Sequence, residues 1–331
     1  MVFGHLPMHS ILFRMGSRGL LPGFLSGLGL VCTTALGMPV GTEGPPAPEP
    51  VRPWPQPLVL GHAGSGFFTP FMPFNPLPPS SLRSINRALR HQAAGVEVDI
   101  RLSQDGVPVL YHDHTLTSMT NGQGCVSQTS AAELQRLRYR GGWPYDWFQH
   151  EQISTFETLL AQLAKRPTFP LLHLDLHEDD ACSANDTARS RTLARQLVAL
   201  LGQYQVPLER VLILTNRPAT LAYLRQLQPS VPLGLEFTDE FEQGMASLAT
   251  TDVQAVVLHK DDISPERVAR LHAMGREVVV FGGRSGAALK RVVAAHPDAY
   301  EVDNVRRLRH QLRHGGTSGA PSVSLVRPAQ H

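Results

Sequence analysis

The chemistry in this 331-residue chain starts with three carboxylates and two imidazoles. Glu97 and Asp99 stand two apart in VEVDIRL (96–102), and Asp175 stands in LLHLDL (171–176). Residues two apart on a strand face the same way, so Glu97 and Asp99 form a pair. An apolar helix layer would leave such a pair uncompensated. The pair therefore faces the inside of the sheet, where Asp175 can join it. Three acidic groups that close repel unless a cation lies among them. Oxygen ligands of this kind suit one hard divalent ion, Mg²⁺ or Ca²⁺. His62 and His112 flank the cluster, and imidazole exchanges protons near neutral pH. Asp113 either orients the His112 ring or caps a turn. His173 shares the Asp175 face but sits deeper, where core packing is an equal alternative.

The elements that must position these groups are short apolar strands: 58–61, 96–102, 171–176, 211–215, 232–237, 255–259, 277–282 and 299–302. Helical patterns lie between them at 82–94, 154–165, 187–203, 218–228, 239–249, 265–274 and 285–296. Ser154 with Glu157 reads as a capping box, Ser264-Pro265 as a helix start, and Gly275 as a helix stop. Strands alternating with helices imply a parallel α/β sheet, and eight strands close as a TIM (β/α)8 barrel. A doubly wound open sheet is the alternative. The turn after the first strand, however, carries histidine rather than the glycine fingerprint of such folds. In a barrel the site lies at the C-terminal ends of the strands, where His62, Glu97, Asp99 and Asp175 all fall.

One connection breaks the alternation. Between VEVDIRL and VPVLYHD (107–113) lie only Ser103-Gln104-Asp105-Gly106. Four residues cannot make a parallel crossover, and Asp-Gly marks a hairpin. Residues 96–113 therefore form an antiparallel ribbon that folds His112 back over the carboxylates. It opens an insertion of about 103–152 after the second strand.

Hydrophobic residues make up 42% of the chain and charged ones 18%, enough for a large core and too few charges for disorder. A net charge of +2 argues against a nucleic-acid partner. Arg14 and Arg18 precede an apolar stretch, 20–36, followed by Ala35-Leu36-Gly37. This pattern is expected to be a cleaved signal peptide (1–37), with export to a periplasm or secretion and no stable transmembrane segment afterwards. A proline-rich linker (38–57), one folded domain (58–311) and a loose tail (312–331) would follow. Cys125 and Cys182 remain after cleavage, and an oxidising compartment would permit a disulfide between them.

HAGSG (62–66), GVEVDIRLSQDGVPVLYHDHTLTSMTNGQG (95–124), LLHLDLH (171–177) and DAYEVDN (298–304) resemble the glycerophosphodiester phosphodiesterase family, one of the phosphatidylinositol phospholipase C-like barrels. The resemblance covers roughly 58–310. It implies that His62 and His112 are the acid/base pair, that Glu97, Asp99 and Asp175 hold one divalent metal, and that the substrate is a small-molecule phosphodiester. The chain departs from the family pattern in several places. Ala63 stands for an arginine, Pro79-Ser80-Ser81 for Glu-Asn-Thr, Asp175 for a glutamate, His177 for a lysine, and Phe281 for a tryptophan. His177 and Phe281 are thereby candidate substrate contacts. A sphingomyelinase D-like phospholipase and a weakly active phosphodiester-binding protein are the competing functions.

Overall fold

A computed structural model describes residues 57–70, 74–238 and 240–314. The expected signal peptide, the expected linker up to residue 56 and the tail beyond His314 lie outside the described residues. The strands are β1 (Leu58–Gly61), β2 (Gly95–Leu102), β3 (Pro108–Leu110), β4 (Ser154–Thr155), β5 (Leu171–Leu176), β6 (Val211–Thr215), β7 (Leu233–Phe237), β8 (Ala255–His259), β9 (Glu277–Phe281) and β10 (Ala299–Val302). Eight of them, β1, β2 and β5 to β10, are parallel, and β1 pairs with both β10 and β2. The sheet is therefore a closed TIM barrel. Helices connect the staves, the longest being Thr187–Gln203, and the last runs from Val305 to His314. No helix among the described residues is long and apolar enough to cross a membrane.

The period of two along each stave divides the molecule into layers. Outward residues such as Val98, Leu174, Ile213 and Val280 pack under the helices in the main core. Inward residues Leu60, Leu171, Leu212, Val257 and Val279 form a separate apolar plug inside the barrel. Further along the inner face the residues become polar: Glu97 and Asp99 on β2, His173 and Asp175 on β5, Glu236 on β7 and Glu301 on β10. The plug thus forms the floor and the charged residues form the mouth.

Strands β3 and β4 are antiparallel additions beside β2. The register sets Ile100 opposite Leu110, and pairing in β3 ends at Leu110. His112 therefore reaches the mouth from the loop beyond the ladder. Ser154 is not the helix cap expected from sequence, because it pairs with Leu110 in β4. Thr155 takes that role and accepts from the Thr158 amide. The insertion has its own small core of Val109, Tyr111, Leu116, Leu134 and Tyr139.

Gly95 is required where β2 begins. A Cβ there would lie 2.0 Å from the Leu171 carbonyl oxygen, which is backbone of the neighbouring stave and cannot swing aside. Gly95→Ala must push β2 and β5 apart at the base of the strands that carry Glu97, Asp99 and Asp175. The expected loss is about 1–3 kcal/mol, the usual cost of overpacking. Urea denaturation of the two proteins measures it; an unchanged midpoint would contradict the close approach.

Candidate active site

Pairing of β2 with β5 places Asp99 directly beside Asp175 and Glu97 beside His173. One oxygen each from Glu97, Asp99 and Asp175 lies within 4.8 Å of the others. Glu97 and Asp99 are each only 2% exposed. Glu97 Oε2 accepts a 2.6 Å bond from the Ala63 amide, while its Oε1 is buried with no hydrogen-bond partner. A buried carboxylate oxygen left in that state is costly. Burial, then the charges of Asp99, Glu301 and Asp175, push the Glu97 carboxyl well above the usual range. Asp99 has better compensation. Burial would raise it, but hydrogen bonds from His177 and Ser80 hold it well below an ordinary aspartate, and Ser80 Oγ donates to Asp99 Oδ2 at 2.7 Å. The donor set is all oxygen, convergent and over-charged, with one oxygen unclaimed. These residues fit a divalent metal.

The two histidines are held in the same way. His62 Nδ1 lies 2.8 Å from Asp303 Oδ1 and His112 Nδ1 lies 2.6 Å from Asp113 Oδ1. With each Nδ1 engaged by a carboxylate, proton exchange with a substrate falls to Nε2. The Phe67 ring stands between them, 5.8 Å from the His62 ring and 5.1 Å from the His112 ring. Burial alone would lower the His62 pKa, but the hydrogen bond and charge of Asp303, with Asp99 and Glu301 behind it, push it up to about 9. Gly66 lets Asp303 come this close, since a Cβ on Gly66 would sit 2.6 Å from Asp303 atoms. Arg284 holds the other Asp303 oxygen at 3.3 Å.

His177 and Phe281 both stand at this mouth. His177 Nε2 is 3.0 Å from Asp99 Oδ1 and 3.3 Å from Asp175 Oδ2. Burial would lower its pKa, but the charge and hydrogen bond of Asp175 and then Asp99 raise it to about 10. The Phe281 ring lies 5.9 Å from the His62 ring. His173 is buried below the site with Nδ1 2.5 Å from Glu301 Oε1. Cys125 and Cys182 are bonded, with Cα atoms 6.4 Å apart. The bond joins the insertion to the loop that follows β5.

Sequence reasoning passed over Asp303, Glu301, Glu236 and Arg101. The first three follow from the period-two argument that found Glu97 and Asp99: Glu301 and Asp303 continue the inner face of β10, and Glu236 lies on that of β7. Burial, then the charge of Asp175, pushes Glu236 up to about 8. Arg101 shares the face of Glu97 and Asp99. Its guanidinium donates to the carbonyls of His112 (2.7 Å), His177 (3.0 Å) and Asp179 (2.9 Å). A single buried cation therefore ties together the two loops that carry His112 and His177.

Residues 73–307 match the family model described as "Glycerophosphoryl diester phosphodiesterase family". Glycerophosphodiester phosphodiesterase 1 of Mus musculus is 24% identical over 225 residues, 61% of this chain and 66% of the mouse protein. The chain therefore spans just under two thirds of that relative. A glycerophosphodiester phosphodiesterase of Caldanaerobacter subterraneus is 21% identical over 260 residues, covering 78% of this chain and 99% of its own length. Among solved structures, an Oleispira antarctica phosphodiesterase in complex with the product sn-glycerol-3-phosphate superposes with a TM-score of 0.64 at 22% identity. That match covers 78% of this chain and 97% of that one.

The His62–Asp303 pair has a pH signature. A histidine whose folded pKa is raised from 6.5 to about 9 contributes stability that is fully present below 6.5. The contribution is lost as pH rises through about 9. Asp303→Asn should lower the His62 titration midpoint, because burial then acts without compensation, and should flatten this part of the stability–pH curve. Imidazole proton NMR and melts between pH 6 and 10 would follow both quantities. An unmoved His62 midpoint would remove Asp303 from its role.

Proposed function

The chain belongs to the glycerophosphoryl diester phosphodiesterase family, and from that premise we propose that it is a metal-dependent phosphoric diester hydrolase. Its substrates would be glycerophosphodiesters and its products an alcohol and glycerol phosphate. The observation that carries this reading is the convergence of Glu97, Asp99 and Asp175 between two imidazoles, each anchored through Nδ1.

A divalent ion held by Glu97, Asp99 and Asp175 would offset charge that develops on the phosphate oxygens. The protein's own groups move the protons. His62 is half-buried, and the hydrogen bond and charge of Asp303 push its pKa up to about 9, so we assign it as the general acid that would protonate the leaving alcohol. His112 is the base. It takes a proton from the attacking oxygen, either the neighbouring glycerol hydroxyl or water, and Asp113 steadies the imidazolium through the 2.6 Å contact. Arg101 keeps the His112 loop in place during that transfer. Phe67 packs against both rings.

A second reading, an amphipathic phosphodiester of the sphingomyelinase D-like kind, has one observation in its favour. Phe67 lies between the histidines, and its chain neighbour Phe68 touches Tyr145 at 5.1 Å. Tyr145 stacks on Phe74 at 5.7 Å, and Phe74 meets Phe148 at 5.3 Å. Trp143 and Trp147 nearby are 77% and 74% exposed. Phe67 at the mouth, with this separate aromatic cluster on its chain neighbour's side, would suit an alkyl chain. We also propose an exported setting, periplasmic or secreted, since a bond between Cys125 and Cys182 persists in oxidising compartments.

His62→Ala and His112→Ala should each lower kcat on glycerophosphocholine by about 10²–10⁴-fold, the usual worth of one positioned proton carrier. Their melting curves should stay cooperative, and exhaustive chelation should silence the wild type until a divalent ion is returned. The same assay run against sphingomyelin and lysophospholipid chooses between the two readings. Hydrolysis of none of them, with any ion, would leave only a phosphodiester-binding protein.

A further inference from the structure

We propose that His177 is a nitrogen ligand to the ion held by Glu97, Asp99 and Asp175, so that the site selects a borderline transition ion over Mg²⁺ and Ca²⁺. This rests on the metal-dependent reading above and deepens it. The geometry comes first. Two ligands on one ion, at bond lengths of about 2.0–2.2 Å and angles between right and tetrahedral, stand roughly 2.9–3.6 Å apart. His177 Nε2 stands 3.0 Å from Asp99 Oδ1 and 3.3 Å from Asp175 Oδ2. Both distances fall in that range, and they run to two of the three carboxylates proposed to hold the ion.

Position is the second argument. His177 is not a loosely placed surface ring. Its amide donates to the Ile100 carbonyl at 3.0 Å, and its own carbonyl accepts from Arg101 at 3.0 Å. The residue is thus fastened on both sides to β2, the stave that carries Glu97 and Asp99. The ring is also backed by His112, whose centroid lies 4.5 Å away. Asp99 belongs to two convergent groups at once, Glu97–Asp99–Asp175 and Asp99–His112–His177, each with its donor atoms within 4.8 Å. The two groups share only Asp99, so His177 would extend the carboxylate site from its Asp99 side.

The third argument is chemical. Three carboxylates alone suit Mg²⁺ or Ca²⁺, which take oxygen donors. An added imidazole shifts preference towards Mn²⁺, Co²⁺ and Zn²⁺, for which nitrogen is a good ligand. As a ligand the ring would be neutral, with the Nε2 lone pair turned to the ion.

The test uses the full-length protein stripped by chelation. Calorimetric titration with Mg²⁺, Ca²⁺, Mn²⁺, Co²⁺ and Zn²⁺ is compared for wild type and His177→Gln. Visible Co²⁺ absorption reports the coordination sphere independently of turnover. Wild type should bind Co²⁺ and Zn²⁺ at least about 100-fold more tightly than Mg²⁺. His177→Gln should lose about 10–100-fold of that affinity, lose the wild-type Co²⁺ spectrum, and leave Mg²⁺ binding within about threefold. If the variant binds Co²⁺ and Zn²⁺ as wild type does, the His177 assignment is overturned while the carboxylate site stands. If wild type binds none of the five ions at this site, the metal-dependent reading falls and takes this inference with it. Should the variant fail to fold, imidazole nitrogen NMR of wild type on Zn²⁺ loading decides. A large shift confined to His177 Nε2 supports ligation, and an unmoved resonance overturns it.

Discussion

Mutual repulsion among acidic side chains inside a barrel is the constraint around which this protein is organised. Glu97, Asp99, Asp175, Glu236 and Glu301 all project from the inner face of the staves, above a floor of leucine and valine that offers them nothing. Each surrounding feature answers some part of that charge. Ser80 and His177 satisfy Asp99, and the Ala63 amide satisfies half of Glu97. His173 meets Glu301. The remaining Glu97 oxygen is unanswered, and with it the cluster stays short of positive charge. A divalent ion, as proposed, would complete the arrangement and give a phosphate group something to bind.

The proposed catalytic residues depend on the same network. His62 is raised by Asp303 and by the cluster behind it, so the acidic residues that would hold an ion also favour the proton on the proposed acid. Arg101 links both ends of the site by gripping the carbonyls of His112 and His177. The disulfide between Cys125 and Cys182 adds a covalent tie between the same two regions, the insertion and the loop after β5. Removing any one of these supports would loosen the loops before it disturbed the staves, whose packing lies in the separate outer core.

The staves were readable because their alternation is strict: Val96, Val98 and Ile100 outward, Glu97 and Asp99 inward, and the same pattern in LLHLDL. The hairpin was readable because Ser103–Gly106 is too short for any other connection. What sequence withheld was mostly distance across the chain. Asp303 lies 241 residues from His62, its hydrogen-bond partner, and nothing local marks it as such. Arg101 looked like one basic residue among many, because a guanidinium that caps three carbonyls has no sequence signature. His177 reads from sequence as a substrate contact sharing the Asp175 face; its contact with Asp99 emerges only when β2 and β5 are laid side by side. Thr155 displaced Ser154 as the helix cap because the two-residue strand β4 is fixed by its partner β3, not by its own composition.

Anomalous diffraction from crystals grown with Mn²⁺ addresses the central claim most directly. The account requires one strong peak at the barrel mouth, about 2.0–2.6 Å from an oxygen of each of Glu97, Asp99 and Asp175. A peak bound elsewhere, or none at this mouth in Mn²⁺-saturated crystals, would mean that the carboxylates settle their charge with protons alone, and the hydrolytic reading would lose its basis.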